Sequence, residues 1–465
     1  MRFRRITSAT LLLLLVGAIT VSGENKDETT LVFPPYLHTL GIRKATKYHL
    51  LLFMQNRVKF RNPQALAVTR LDRWDDPDTK GDDDEVTVYG VNSGQNNIIY
   101  NKSMSALGVY GLNTTVKHRL DNPRGIAANS SGAVYVADTG NDRIVRLDNK
   151  DDNLVYSHEI RLDNPGFSGP GDVTLDSQDN IYVADTGNNR VVVLDAEGRY
   201  QYDFGGIGSQ MSSPMAIVVV DRKLKWSYYR DDFIVVIDRG KTRIQKYSLD
   251  GHPVAAISAD TFLSGPAELM YIACDYYNNI YVTDIRNHCI HKFDRNLQYL
   301  TSYGSRGKGD GEFIEPRGIA IHRRFGQIFI AEKEGAQYYW VGTNARSLSA
   351  YPHEEKSHLV FFEYFLTEPS FITADVFDAD GRFVTSIFRN QFKRSGRNRD
   401  AWNGRVNDVS ARTHHGERPI TADEYTGLSQ VPAGQYSVRY TFEATYSSRR
   451  HFSKELRVNI NIKYE

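Results

Sequence analysis

The chain has 465 residues, with 57 basic against 56 acidic side chains. That balance leaves no electrostatic footprint for nucleic acid, and the length exceeds what one domain ordinarily takes, so two or more are expected. Aromatic residues reach 12%, with 28 tyrosines, as expected of twisted sheets whose faces are half buried.

The first segment reads as an address. Met1 to Arg5 is basic, Leu11 to Val16 is apolar, and Val21-Ser22-Gly23 offers small residues for cleavage. The apolar run is far shorter than the ~20 residues of a membrane span. Residues 1–23 are therefore expected to be a signal peptide for export to the periplasm, cell surface or extracellular space. No transmembrane anchor is expected in the mature chain, and no cysteine stands directly after the run to carry a lipid. Residues 24–60 begin polar and turn apolar at Lys47 to Phe60. A ring of sheets loses its bare edge when the last sheet takes a strand from the opposite terminus, and residues 48–53 are predicted to supply it.

From Pro63 the chain repeats. Pro63, Pro123, Pro170, Pro214, Pro266 and Pro316 open six units at spacings of 60, 47, 44, 52 and 50 residues. A period of ~40 to 50 residues marks a propeller or solenoid. Each unit reads strand, turn, strand, loop, strand, with β-branched residues in the strands and Asp, Asn and Gly between them. The second strand closes on Asp138, Asp185, Asp238, Asp284 and Glu332, followed five residues later by Arg143, Arg190, Arg243, Cys289 and Gln337. The first unit has Asn92 and Asn97 instead. The pattern predicts a closed six-bladed β-propeller over residues 61–350. Pairs that recur, Asp138/Arg143, Asp185/Arg190 and Asp238/Arg243, are expected to be structural ties between strands, because catalysis needs one constellation and not several copies. The acidic stretch Asp72 to Glu85 interrupts the first unit. It lacks the ordered ligand spacing of a calcium loop and reads as a solvated insertion.

Departures from the repeat locate a candidate binding face. The residues after the opening prolines are Gln64, Arg124, Gly171, Met215, Ala267 and Arg317, and the next position adds Asp172 and Glu268. Loops at propeller mouths are where ligands sit. Arg124, Arg317, Asp172 and Glu268 are the predicted contacts for a protein or a small polar ligand, and two converging arginines suit an anionic group. Cys274 and Cys289 are the two cysteines, and the repeat puts a strand between theirs, near 10 Å at ~4.8 Å per strand. They are expected to be free thiols. No G-x-S-x-G elbow, P-loop, C-x-x-C or H-E-x-x-H is present. The glycine-rich stretch Gly304 to Phe313 links two units without the strand-to-helix setting of a phosphate cradle.

Beyond Tyr351 the pattern changes. Alternating segments from Val360 onward, with a tight turn at Asp378 to Gly381, give about seven short strands in about 110 residues, the content of an Ig-like or fibronectin-like β-sandwich. This second domain is placed at residues 357–465, behind a linker around Ser347 to Lys356. Arg412 to Gln430 reads as a surface loop.

Two resemblances follow from these residues. NPRGIA with YVADTGNDRI (Asn122 to Ala127, Tyr135 to Ile144) and GPGDVT with YVADTGNNRV (Gly169 to Thr174, Tyr182 to Val191) resemble the NHL repeat, and weaker copies extend the likeness over residues 61–350. The resemblance implies an all-β, six-bladed propeller. It says little of function, since NHL propellers act as binding platforms, extracellular sensors and, in a few cases, lyases or hydrolases. Val376, Asp378, Gly381 and Val384, then Trp402, Asn403 and Gly404, then Val431, Pro432, Gly434 and Tyr436 resemble the Ig-like domain of the flagellar hook-cap protein FlgD, with Asn403 in place of the usual Asp. In such domains these residues build turns and core.

The segment Thr283 to Asp294 also resembles one in peptidyl-amidoglycolate lyases, which hold zinc through three histidines from different blades. That makes His288 the one metal candidate. The equivalent positions elsewhere are Asp142, Asn189 and Thr242, and neither His252 nor His322 sits at a matching place. No cofactor is therefore expected, and neither Ca nor Zn has support. The chain reads as an exported, non-enzymatic binding or scaffold protein. The alternative is a metal-dependent hydrolase or lyase, peptidyl-amidoglycolate lyase-like or lactonase-like, acting at the mouth.

Overall fold

The structure, a computed structural model, describes residues 28–34, 43–54, 57–74, 86–103, 106–112, 114–206, 208, 210–238, 240–354, 358–406 and 430–464. Residues 1–23, expected from sequence to be a signal peptide, most of the acidic stretch and residues 412–429 of the later insertion lie outside these. Among the described residues, six antiparallel sheets follow one another over the repeats. The third shows the pattern: Pro170–Leu175 innermost, then Ile181–Asp185, Arg190–Leu194 and Tyr200–Gly205, each hydrogen-bonded to the next in sequence. The inner strand of each sheet packs beside that of the following one, and the sixth (Ile319–His322) returns to the first (Pro63–Thr69). The described residues of the repeats thus form a β-propeller.

Sequence dictates how tightly the inner strands meet. A Cβ on Gly318 would lie 2.1 Å from the Gln64 carbonyl oxygen, and one on Gly125 would lie 2.4 Å from the Asp172 Cα. Only glycine permits that approach. Between sheets the fill is apolar. Tyr135, Ala137 and Ile144 of the second sheet bury against Ile181, Val183 and Val192 of the third, and Tyr182, Ala184 and Val191 of the third against Ile217, Ile234 and Val236 of the fourth. Each valine or isoleucine among them contributes ~1.5–3 kcal/mol on burial.

The N-terminal segment does complete the sixth sheet, but with other residues than 48–53. Leu31 and Val32 pair with Val341 and Trp340, and Lys44 and Ala45 with Gln337 and Ala336. Residues 48–53 lie instead within the helix Lys47–Met54. Its sequence is rich in straight-chain helix formers, and Thr46 and His49 form a reciprocal cap. The Thr46 N–H donates to His49 Nδ1 at 3.1 Å, while the Thr46 carbonyl accepts from the His49 N–H at 3.0 Å. Histidine in the place of the usual Glu or Gln hides this signal.

Two further sheets follow. Ala345–Pro352, Val360–Leu366 and Gly396–Trp402 form one, and Phe383–Lys393, Ser370–Phe377, Gly434–Ala444 and Lys454–Ile462 the other. Ala345–Pro352, read from sequence as the end of the repeats and a linker, is a strand paired with Val360–Leu366. Phe362, Leu366, Ile372, Trp402, Tyr440 and Phe442 fill the space between the sheets. The residues singled out by motif build turns: the Gly381 N–H bonds the Asp378 carbonyl at φ +78°, the Trp402 Nε1–H bonds the Arg405 carbonyl at 2.9 Å, and the Tyr436 hydroxyl bonds that of Pro432 at 2.8 Å.

These sheets are seated on the propeller. Lys292 Nζ meets the Glu368 carboxylate where both side chains are fully buried, and the Asn279 amide donates to Glu368 at 3.2 Å. Asp275, also buried, bonds Asn279 and the Tyr281 hydroxyl. Around this polar centre, Phe392 stacks on Tyr228 at 5.8 Å, Tyr446 meets Tyr277 at 5.9 Å, and the Ser448 hydroxyl donates to the Val341 carbonyl at 2.6 Å. Burial, reinforced by the charge of Asp275, pushes the Glu368 carboxyl above its usual range, and Lys292 opposes the shift.

Candidate functional site

The recurrent acid and arginine prove to be one device. In the second sheet Arg143 Nε donates to Asp138 at 2.7 Å. Arg190 Nε donates to Asp185 at 2.8 Å, and Arg243 Nε to Asp238 at 2.8 Å. Each acid also accepts the backbone N–H of the loop entering its sheet, from Asp121, Ser168 and Ser212. Each arginine donates to a carbonyl of that loop, Arg119, Pro165 and Gln210. The pairs therefore fasten the inter-sheet loop to the strands and face no open space. In the first sheet Asn92 and Asn97 bond each other at 3.0 Å, and Asn92 accepts from the Arg61 N–H, so a neutral amide pair replaces the ion pair.

In the fifth sheet Cys289 replaces arginine and His291 takes over. Its Nε2 lies 3.1 Å from Asp284 and its Nδ1 2.7 Å from the Ser302 hydroxyl. Although burial opposes it, hydrogen bonds from His291, Asn287 and backbone N–H groups hold Asp284 down to about 2. His288, the metal candidate, is not beside it. It occupies the left-handed position (φ +55°) that Asp142 and Asn189 fill in their sheets, and its Nδ1 accepts the Glu315 N–H at 3.0 Å. It serves a turn. Among the described residues no group of His, Cys, Asp and Glu is arranged to hold a metal ion. Cys274 and Cys289 are free and buried, and burial pushes both thiols up to about 12.

The mouth lies where the inner strands begin. Antiparallel pairing puts that end beside the acids, as in Pro170 opposite Asp185. The turns at the other end of the inner strands, Asp275–Asn279 and the one through Gly326, touch Glu368 and Tyr446. Mouth and sandwich therefore occupy opposite ends of the propeller.

Arg124 and Arg317 both stand at the mouth, half buried. Arg317 donates to Glu315 at 2.9 Å and to Asn62, whose Oδ1 also accepts from Gln64 at 3.0 Å. The Arg124 side chain has no hydrogen bond or ion pair among the described residues. Between them rises Tyr271, which sequence reasoning missed. Its hydroxyl lies 3.1 Å from the Arg124 carbonyl oxygen and 3.3 Å from Gln64 Oε1, so the fifth sheet reaches across the axis to the first and second. Asp172 lies beneath, buried, accepting the Ile217 N–H at 3.0 Å, and burial pushes its carboxyl up to about 7. It is not a surface contact. Glu268 is not part of this group either: it pairs with Lys241 at 2.6 Å.

The displacement of Glu268 has a plain cause. Pro266 stands three residues further from its acid than Pro170 does. Strand register makes Leu269, opposite Asp284, the counterpart of Pro170, and therefore Tyr271 the counterpart of Asp172. Counting from the acid instead of the proline would have found it.

The NHL repeat family profile matches residues 120–147 and 167–194. No curated protein matches the chain by sequence. Among solved structures, a streptogramin B lyase is similar at 16% identity, with 61% of this chain and 94% of that one covered and a TM-score of 0.41. A virginiamycin B lyase from Staphylococcus aureus gives 18%, 59% and 79%, with a TM-score of 0.41. PorZ of Porphyromonas gingivalis, described as a surface component of the type-IX secretion system, gives 13% identity, with 86% of this chain covering 51% of that one, and a TM-score of 0.42. The chain thus carries NHL repeats and is an all-β protein with a β-propeller.

Proposed function

We propose that this is an exported binding or scaffold protein. Its six sheets act as a six-bladed NHL propeller over residues 61–350, and a FlgD-like Ig-type sandwich over about 357–465 serves as its docking or attachment module. The mouth, through Arg124 and Arg317, takes an anionic group of a protein or small ligand. The observation that carries the reading is the contrast among the arginines of the repeats. Arg143, Arg190 and Arg243 are buried and fully engaged, whereas Arg124 is held half open on the axis without a partner among the described residues. A guanidinium presented this way is suited to a carboxylate or phosphate. Export rests on the basic-then-apolar leader of residues 1–23.

The test is affinity capture from native envelope and medium with wild-type chain and with Arg124→Ala/Arg317→Ala. A partner retained by wild type, lost with the double variant and released by salt is the expected result. Equal capture by both forms refutes the assignment of the mouth.

A further inference from the structure

We propose that the seam between the outer strands of the fourth and fifth sheets, away from the mouth, is a binding site for a neutral saccharide. The neighbouring seam shows what the repeat ordinarily does there. Tyr202 and Phe204 of the third sheet, opposite Val193 and Val191, correspond by register to Ala255 and Ile257 of the fourth, opposite Lys246 and Ile244. Between the third and fourth sheets the gap is closed. The Tyr202 hydroxyl bonds the Leu249 carbonyl, Phe204 packs on Tyr247 at 5.2 Å, and a Cβ on Gly251 would lie 2.5 Å from the Phe204 ring. Between the fourth and fifth sheets the smaller Ala255 and Ile257 leave a cavity of about 600 Å³, within the usual size of ligand sites.

A second observation sets this seam apart. The turn leading into the outer strand is built alike in three sheets: the N–H of Gly198, Gly251 and Leu297 bonds the carbonyl of Asp195, Ser248 and Asp294. All three residues are left-handed, with φ of +82°, +83° and +63°. Glycine adopts this freely, whereas leucine pays ~1–2 kcal/mol. Leu297 accepts that strain and places a buried side chain on the cavity. Strain of this kind collects at binding sites.

The lining identifies the guest. None of the described residues around the cavity is charged, so an ionic ligand would meet no counter-charge. Phe262 and Tyr299 stack at 5.4 Å and 21°, and Tyr299 stays 36% exposed. The side-chain amides of Asn296 and Gln298 border the cavity and bond no other described residue. An aromatic wall presents a face to the C–H surface of a sugar ring, and free amides can donate to and accept from its hydroxyls.

Isothermal titration of the full chain with maltotetraose, cellotetraose, xylotetraose and chitotetraose tests this, with a proline-rich peptide alongside. At least one tetrasaccharide is expected to bind with a Kd of about 1 mM or below, and Ala255→Tyr, which restores the residue type of the third sheet, to weaken it at least about tenfold. Should that variant melt early, Leu297→Gly takes its place, since sibling turns carry glycine. Binding by no sugar, binding by the peptide alone, or sugar binding indifferent to a folded variant would overturn the proposal.

Discussion

Replacing Lys292 by methionine removes the cation from the buried polar centre and leaves Glu368 facing Asp275 with no charge to meet it. Breaking such a pair by deleting one partner ordinarily costs ~3–5 kcal/mol. Here the carboxyl has an escape, because it can take up a proton. The folded pKa is already raised to about 8 with Lys292 in place, so the native state binds more protons than the unfolded state, and stability contributed by this group is present below the unfolded value of 4.5 and falls as pH rises towards 8. Wild type and variant share that fall, about 0.7 kcal/mol at pH 5 and about 3.4 kcal/mol at pH 7 at 1.36 kcal/mol per unit. Lys292 opposes the rise, so its loss lifts the folded pKa further, and the two forms separate above pH 8 by about 1.4 kcal/mol per unit of pH. Urea denaturation of both forms at pH 6 and pH 9, followed by a signal from the sandwich, should show the larger loss at pH 9. Lys292→Met/Glu368→Leu should regain most of the loss there. Equal losses at both pH values, or a double variant no better than the single at pH 9, would refute the argument.

Three further outcomes are expected. Arg190→Met strips the charge partner from Asp185 and frees the Pro165 carbonyl, and should cost ~3–5 kcal/mol in denaturant titration, more than any change at half-buried Arg124. Gly318→Ala drives a methyl into the Gln64 carbonyl and should destabilise by at least ~1–3 kcal/mol, read as loss of hydrogen-exchange protection in the first and sixth sheets. Cys274 and Cys289 should resist iodoacetamide at pH 8 in the native state and react at once in urea. Both are buried, and thiols pushed up to about 12 carry little thiolate there.

The propeller was legible because its signals recur. Proline, acid and arginine at fixed spacing told strand from loop, and recurrence itself told structural ion pairs from chemistry. What recurs imperfectly misled. The fifth unit, measured from Pro266, gave Glu268 for the axis where register puts Tyr271. The helix over residues 47–54 was obscured by a histidine cap and an apolar run that suits a strand equally well. Least legible was the seat of the sandwich. Lys292 and Glu368 are 76 residues apart, and nothing in either neighbourhood marks a charge destined for burial. Such pairs are set by domain docking, which leaves no period in the sequence.

The junction of Leu31 and Val32 with Val341 and Trp340 has a bearing on how the molecule is made. A chain synthesised amino end first must keep those early residues uncommitted until others about 310 positions later arrive. Until then the nascent sheets form an arc with a raw border at each end, open to premature pairing with another copy. Truncation anywhere before Trp340 should therefore leave a sticky fragment instead of a smaller soluble one.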